Sequence, residues 1–454
     1  MSHSYIERPR YFCSFGGALS TLEALPDTIP IMHAPSGCAA SIAWGQVGGS
    51  ALEVGGYCGG LSVPSSNVTD REVIFGGSDR LTEQIQRTLE IMEGRLFVVI
   101  TSCVTDIIGD DIKAVVSDIR SEIDNTPNSE NPALIFANTG GFLGNSYKGY
   151  DIVMSAIVQQ FVAKPETKKR GKVNILGIVP SMDCFWRGNL EGIRKVLELL
   201  GLEVNTYFTG KDSLETIRNS SEAELNIVVS DLYGIDIAKT YKDLYDIPYI
   251  VSSLPVGPTA TEKLLRETAK ALHLEINIEE IIDAQYREYY HLLSSLIDAL
   301  YDADHQRYAV IVADVNYAVA ITRFLFDDFG WIPVHVQLTE ILTPEQQKTI
   351  SGKLSAENPV FNPQVIFDTN ASEAGRYINA LYPKRDTDLY VNNLSPVFVF
   401  GSSLERDLAL KFAAPHLSIS FPITNRAVIN RAYTGFSGGL TLIEDILSAT
   451  IINR

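Results

Sequence analysis

The chain has 454 residues, with 37 basic against 55 acidic side chains and a formal net charge of -18. Hydrophobic residues make up 45% and charged residues 20%, the range of ordinary globular domains, and at roughly 150 residues each the length holds about three of them. So acidic a surface argues against nucleic acid and against an anionic membrane as partners, because both repel it. No apolar run reaches the ~20 residues of a membrane span, and the opening MSHSYIERPRYF lacks an apolar signal core, so the expected location is cytoplasmic.

Along the chain the pattern is strand then helix, repeated. In the first third LTEQIQRTLEIME reads as a helix, LFVVIT as a strand, IKAVVSDIRSEI as a helix and ALIFAN as a strand. A glycine-rich turn and the helix YDIVMSAIVQQFVA follow. The polar, basic KPETKKRGK is a boundary signal. A second round runs from the strand VNILGIV through NLEGIRKVLELLG, EVNTYF, LNIVVS, DIAKTYKDLY and PYIVS to the helix TATEKLLRETAKALHL. A long amphipathic stretch, roughly 278–304, suits a linking helix. The third round opens with YAVIVAD and AVAITRFLFDDFG, continues through IPVHVQL, QVIFDT, PVFVF and LSISFP, and ends in the helix LTLIEDILSATIINR.

Short apolar strands without alternation, separated by amphipathic helices, imply parallel sheets covered on both faces. The expected fold class is therefore α/β, three Rossmann-like doubly wound domains, divided at 1–168, 169–277 and 278–454. In such sheets ligands sit beyond the carboxyl ends of the strands.

Several chemistries lack their motifs. There is no P-loop, since FTGKDS has neither the first glycine nor the hydroxyl after the lysine, and no G-x-G-x-x-G follows a strand. The seven histidines form no H-E-x-x-H, and no G-x-S-x-G elbow occurs.

The five cysteines, Cys13, Cys38, Cys58, Cys103 and Cys184, are an odd number without a C-x-x-C pair, which excludes zinc ribbons and ferredoxin-type runs. Three share a local character: Cys13 in YFCSFGGALS, Cys38 in IMHAPSGCAAS and Cys103 in VITSCVTDIIGDD each follow a short apolar run and have small neighbours. Small neighbours let an inorganic group approach the backbone and leave N–H groups free for its sulfides. Each cysteine also has a plainer reading as a small core residue.

The ordered stretches FCSFGGA, HAPSGC, NVTDREVIFGG, TSCVTDIIGDD and GFLGNSYKGYD resemble the first domain of nitrogenase component 1 proteins. LPVGPTATEKLL in the second domain and FPITNRAVINRAYTGFSGG near the C-terminus extend the resemblance from about residue 8 to the end. The resemblance implies α/β heterodimers that pair into heterotetramers, with an iron–sulfur cluster between unlike subunits, held by three cysteines from each in true nitrogenases. Cys13, Cys38 and Cys103 match those positions, so they are the implied cofactor-binding metal ligands, of an [8Fe-7S] P-cluster type or a [4Fe-4S] cluster. The implied electron donor is a separate ATP-dependent [4Fe-4S] iron protein, in keeping with the missing P-loop.

Where β-type chains of molybdenum nitrogenase carry a serine that joins the oxidised cluster, this chain has Gly141, so no redox-dependent serine ligand is expected. The catalytic α chain of the family holds a large metal cofactor through a cysteine and a histidine. Here Ser230 follows LNIVV, and His416 lies too early to match the histidine. The chain therefore resembles a β-like subunit that relays low-potential electrons to an active site in its partner. A cofactor-assembly scaffold is the alternative, and a tetrapyrrole reductase ranks last. The glycine-rich segment after Cys38 departs from dinitrogen-reducing β chains and points to a nitrogenase-like reductase, such as methylthio-alkane reductase. Cys58 reads as a loop thiol and Cys184 as a residue packed beside Trp186. Asp110 and Asp111 read as helix-start carboxylates, and Arg426 and Arg431 as residues facing an interface or the C-terminal carboxylates of a neighbour.

Overall fold

The computed structural model describes residues 10–39, 63–125, 131–296, 307–355, 362–383 and 397–452. Twelve strands, β1 Thr28–His33, β2 Leu96–Thr101, β3 Ala133–Ala137, β4 Lys172–Leu176, β5 Glu203–Asn205, β6 Leu225–Val228, β7 Tyr249–Val251, β8 Tyr308–Ala313, β9 Ile332–Leu338, β10 Gln364–Phe367, β11 Val397–Gly401 and β12 His416–Ser418, form three sheets. Every strand pair within them is parallel. The orders are β1-β2-β3, β5-β4-β6-β7 and β10-β9-β8-β11-β12. The last two reverse direction beside their first strand, as doubly wound sheets do. No described helix is long and apolar enough to cross a membrane.

The first sheet shows why its sequence reads as a continuous apolar run. All six residues of β2 are buried. Phe97 and Val99 pack with Leu81, Ile85, Val116 and Ile119 on one face, and Leu96, Val98 and Ile100 face Ala18, Leu19, Leu22 and Val153 on the other. The register aligns His33 with Thr101 and Ile100 with Ala137, so the three carboxyl ends form one edge.

The strand β1 and the helices Ser14–Glu23, Asp70–Phe75 and Cys103–Ile108 are absent from the sequence reading. β1 carries Pro30, which reads as a strand breaker but is tolerated here because β1 closes the end of the three-stranded order. The helix Ser14–Glu23 carries Gly16 and Gly17, residues of low helix propensity. The glycines answer to packing instead. A Cβ on Gly17 would stand 1.9 Å from the Ser146 carbonyl oxygen, and one on Gly149 would stand 2.1 Å from that of Ser14. The helices Ser14–Glu23 and Ser146–Gln160 thus touch backbone to backbone. Cys13 consequently does not end a strand as expected; it is the N-cap residue of the helix Ser14–Glu23.

Gly149→Ala is expected to cost about 3 kcal/mol through overpacking, read as a lower denaturation midpoint. Gly210→Ala, with no atom within 4 Å of its built Cβ, is expected to leave the midpoint unchanged.

Candidate functional site

The site forms along the edge where β1, β2 and β3 end. Ser102 caps the six-residue helix Cys103–Ile108, and its N–H reaches both the His33 carbonyl (3.2 Å) and Thr105 Oγ1 (2.9 Å). Thr105 Oγ1 also donates to the His33 carbonyl at 2.9 Å. The ends of β1 and β2 are thereby locked, with Cys103 as the first residue beyond the lock.

The loop after β3 is fastened on both sides. Thr139 exchanges hydrogen bonds with Thr101 at 2.9 and 2.8 Å. The Gly140 N–H donates to Asp106 Oδ2 at 3.0 Å, and the Gly141 N–H donates to Cys103 Sγ at 3.1 Å. From the other side Ser14 Oγ donates to the Gly140 carbonyl at 2.7 Å, the Ser14 N–H donates to the Gly144 carbonyl at 3.0 Å, and Cys13 forms an antiparallel bridge with Asn145. A Cβ built on Gly141 would stand 2.9 Å from Cys103 Sγ and 3.1 Å from Cys13 Sγ. Gly141 therefore occupies a position where any side chain would enter among the sulfurs.

Cys38, in the turn after β1, completes the group. Burial pushes its thiol up, and the Cys13 and Cys103 sulfurs push it the same way. Cys13 is exposed, and Cys38 and Cys103 are half-buried. Three thiols on one open face make a soft donor set suited to iron–sulfur or other thiophilic metal groups. Among the described residues no three His, Cys, Asp or Glu side chains lie close enough to hold a single metal ion.

An apolar rim surrounds the thiols. Ile107 is 75% exposed and Phe142 61%, on the very elements that carry Cys103 and Gly141. The neighbouring helix Asp70–Phe75 buries none of its residues and leaves Ile74 and Phe75 exposed. Exposed apolar residues clustered like this mark a surface that another protein covers.

Other singled-out residues fall outside the group. Cys184 is buried in the core with Phe185 and Trp186. Cys58 and most of the glycine-rich segment after Cys38 lie outside the described residues. Ser230 is buried and donates to Asn316 Oδ1 at 2.6 Å. His416 starts β12 and bonds the Ser402 carbonyl at 2.9 Å. Arg426 and Arg431 both reach Asp445 in the C-terminal helix Gly435–Ile452, at 3.2 and 2.5 Å.

Asp110 and Asp111 divide their labour. Asp111 caps the helix Ile112–Asp124 through the Ala114 N–H at 2.9 Å. Asp110 makes no cap. It accepts from the Gly77 N–H at 2.8 Å and meets buried His33 Nε2 at 2.9 Å, while His33 Nδ1 meets Ser66 Oγ at 2.9 Å. Burial keeps His33 below the usual histidine range despite Asp110. The sequence reading missed this tie, because nothing local links residues 77 positions apart.

The family model for nitrogenase component 1 type oxidoreductases matches residues 13–451. The chain belongs to that family. Nitrogenase component 1 relatives include the nitrogenase molybdenum-iron protein beta chain of Bradyrhizobium diazoefficiens, 24% identical over 97% of this chain and 83% of the relative. The beta chain of Methanococcus maripaludis is 23% identical over 98% and 94%. The iron-molybdenum cofactor biosynthesis protein NifE of the same organism is 26% identical over 66% of this chain and 62% of its own length. A solved structure titled nitrogenase Cp1 at pH 6.5 shares the component 1 fold with a TM-score of 0.78 at 16% identity, covering 100% of this chain and 94% of that one.

Asp110→Ala strands the His33 ring and the Gly77 N–H. It is expected to cost about 2–3 kcal/mol in chemical denaturation, and Asp110→Asn, which keeps an acceptor oxygen, to cost less.

Proposed function

We propose that this chain is the β-like subunit of a nitrogenase-like reductase, and that Cys13, Cys38 and Cys103 hold its half of an iron–sulfur cluster where an α-type subunit covers the apolar rim. The observation that carries this reading is the convergence of three thiols on one open face, with the Gly141 N–H already directed at one sulfur. Three thiolates from each side would suit an [8Fe-7S] group, and a [4Fe-4S] group is the smaller possibility.

When bound, such a cluster supplies one-electron transfer at low potential. The chain's own residues do the rest. The thiolates ligate. The Gly141 N–H withdraws charge from Cys103 Sγ, which raises the potential, and the absence of a side chain at Gly141 leaves no hydroxyl to join the ligand set. Ile107 and Phe142 exclude water once covered, which strengthens every charge interaction inside. An ATP-dependent iron protein as donor, an active site in the partner and pairing of heterodimers into tetramers belong to the same proposal.

A second reading is supported by the relatives named for cofactor biosynthesis: a scaffold on which a nitrogenase-type cofactor is built. The two separate on the partner's metal, which stays through turnover in a reductase and leaves on transfer in a scaffold.

Cys38→Ala is expected to lose most of the iron of the anaerobically purified complex, whereas Cys184→Ala keeps it. Full iron in Cys38→Ala would remove the ligand assignment. Phe142→Asp, which leaves every thiol in place, is expected to weaken the heterodimer at least tenfold in analytical ultracentrifugation, and unchanged association would sink the interface assignment.

A further inference from the structure

A cleft of about 940 Å³ lies between the segment Arg10–Cys13, the start of helix Ser146–Gln160, the loop after β6 and the loop after β9. It has the volume of a small-molecule site.

Most of its charged lining is paired. Lys148 and Lys239 hold Asp236 at 2.6 and 3.4 Å. Asp231 is held by Lys353 and by Ser253 Oγ, and Arg10 by Glu405. Two carboxyls lie further in: Asp151, which feels the charges of Lys148 and Lys239, and Glu340, which has no ion-pair partner among the described residues. Asp151 accepts the Gly234 N–H at 2.8 Å. Glu340, 2% exposed, accepts the Val315 N–H at 2.8 Å and the Tyr233 hydroxyl on Oε1, while its buried Oε2 has no hydrogen-bond partner. Burial, and then the Asp314 carboxyl, push Glu340 up to about 8, and burial pushes Asp151 up to about 7. An orphaned buried carboxyl oxygen costs stability unless something fills its place.

The wall beside Glu340 is aromatic. Tyr147 stacks on Tyr233 with centroids 4.2 Å apart and planes 4° apart, and Tyr11 meets Tyr147 edge-on at 5.8 Å. Tyrosine faces attract cations, and an ammonium beside a buried carboxyl favours its ionised form and then makes a charge-assisted hydrogen bond with it.

We propose that this cleft binds a small organic cation of the primary ammonium class, with the ammonium on Glu340 Oε2 and the carbon body against the tyrosines. The site uses none of the thiol chemistry, although the cleft reaches Cys13 at its edge. Iron content measured on each variant therefore keeps the two readings apart.

The test is calorimetric titration of the full chain, purified with its partner, with benzylammonium and n-butylammonium, and with benzyl alcohol and benzoate as isosteres. Saturable binding of the ammonium compounds is expected, at least tenfold tighter than the isosteres and at least tenfold weakened by Glu340→Gln, with iron content unchanged. Absence of saturable binding, equal binding of benzyl alcohol, or full affinity in Glu340→Gln would each overturn the proposal. Should Glu340→Gln fail to fold, Ile341→Trp serves instead. Ile341 lines the rim and is 87% exposed, so the bulkier ring is expected to block the cleft without touching the core. Unchanged affinity in Ile341→Trp would count against the site.

Discussion

The backbone contact between the helices Ser14–Glu23 and Ser146–Gln160 is the constraint on which the site depends. Cys13 lies far from Cys103 in sequence and belongs to no strand of the first sheet. It reaches the sheet edge because Gly17 and Gly149 carry no Cβ, so the two helix axes approach more closely than any side chain permits. The Ser14 hydroxyl and N–H then fasten the Gly140–Gly144 turn, and that turn directs the Gly141 N–H at Cys103. One close contact thus sets both a ligand position and a donor to a ligand sulfur.

The chain keeps its two charge environments apart. On the elements around the thiols Ile74, Phe75, Ile107 and Phe142 are exposed, which suits a buried interface once a partner covers them. In the cleft the buried Glu340 carboxyl is held by hydroxyl and amide donors rather than by lysine or arginine. The two regions meet at Cys13, which borders both. A metal group at the thiols and an organic cation near Glu340 would therefore occupy neighbouring but chemically distinct places.

What the sequence made legible follows from what is local. LFVVIT is found as β2 without a shift because a fully buried parallel strand is written as an unbroken apolar run, and IPVHVQL is found as β9 although His335 and Gln337 interrupt its apolar pattern. Cys13, Cys38 and Cys103 were singled out by their small neighbours, and the structure brings them together. β1 and the helix Ser14–Glu23 were missed because Pro30 and Gly16–Gly17 carry local meanings that packing overrides. The His33–Asp110 tie and the Glu340 orphan were missed for a different reason: each depends on segments far apart in sequence meeting across the fold. Glu340 did leave one signal, an acid two residues past an apolar strand, where doubly wound sheets present ligand-binding groups.

The central claim is that three thiols of this chain hold half of a shared iron–sulfur cluster. Its most direct test is the iron and acid-labile sulfide content of the complex purified anaerobically with its partner, together with electron paramagnetic resonance of the reduced form. The account predicts a cluster signal and about eight interface irons per heterodimer, or about four for the smaller cluster. A folded, associated complex containing neither iron nor sulfide would contradict it, and would return Cys13, Cys38 and Cys103 to the role of small packing residues.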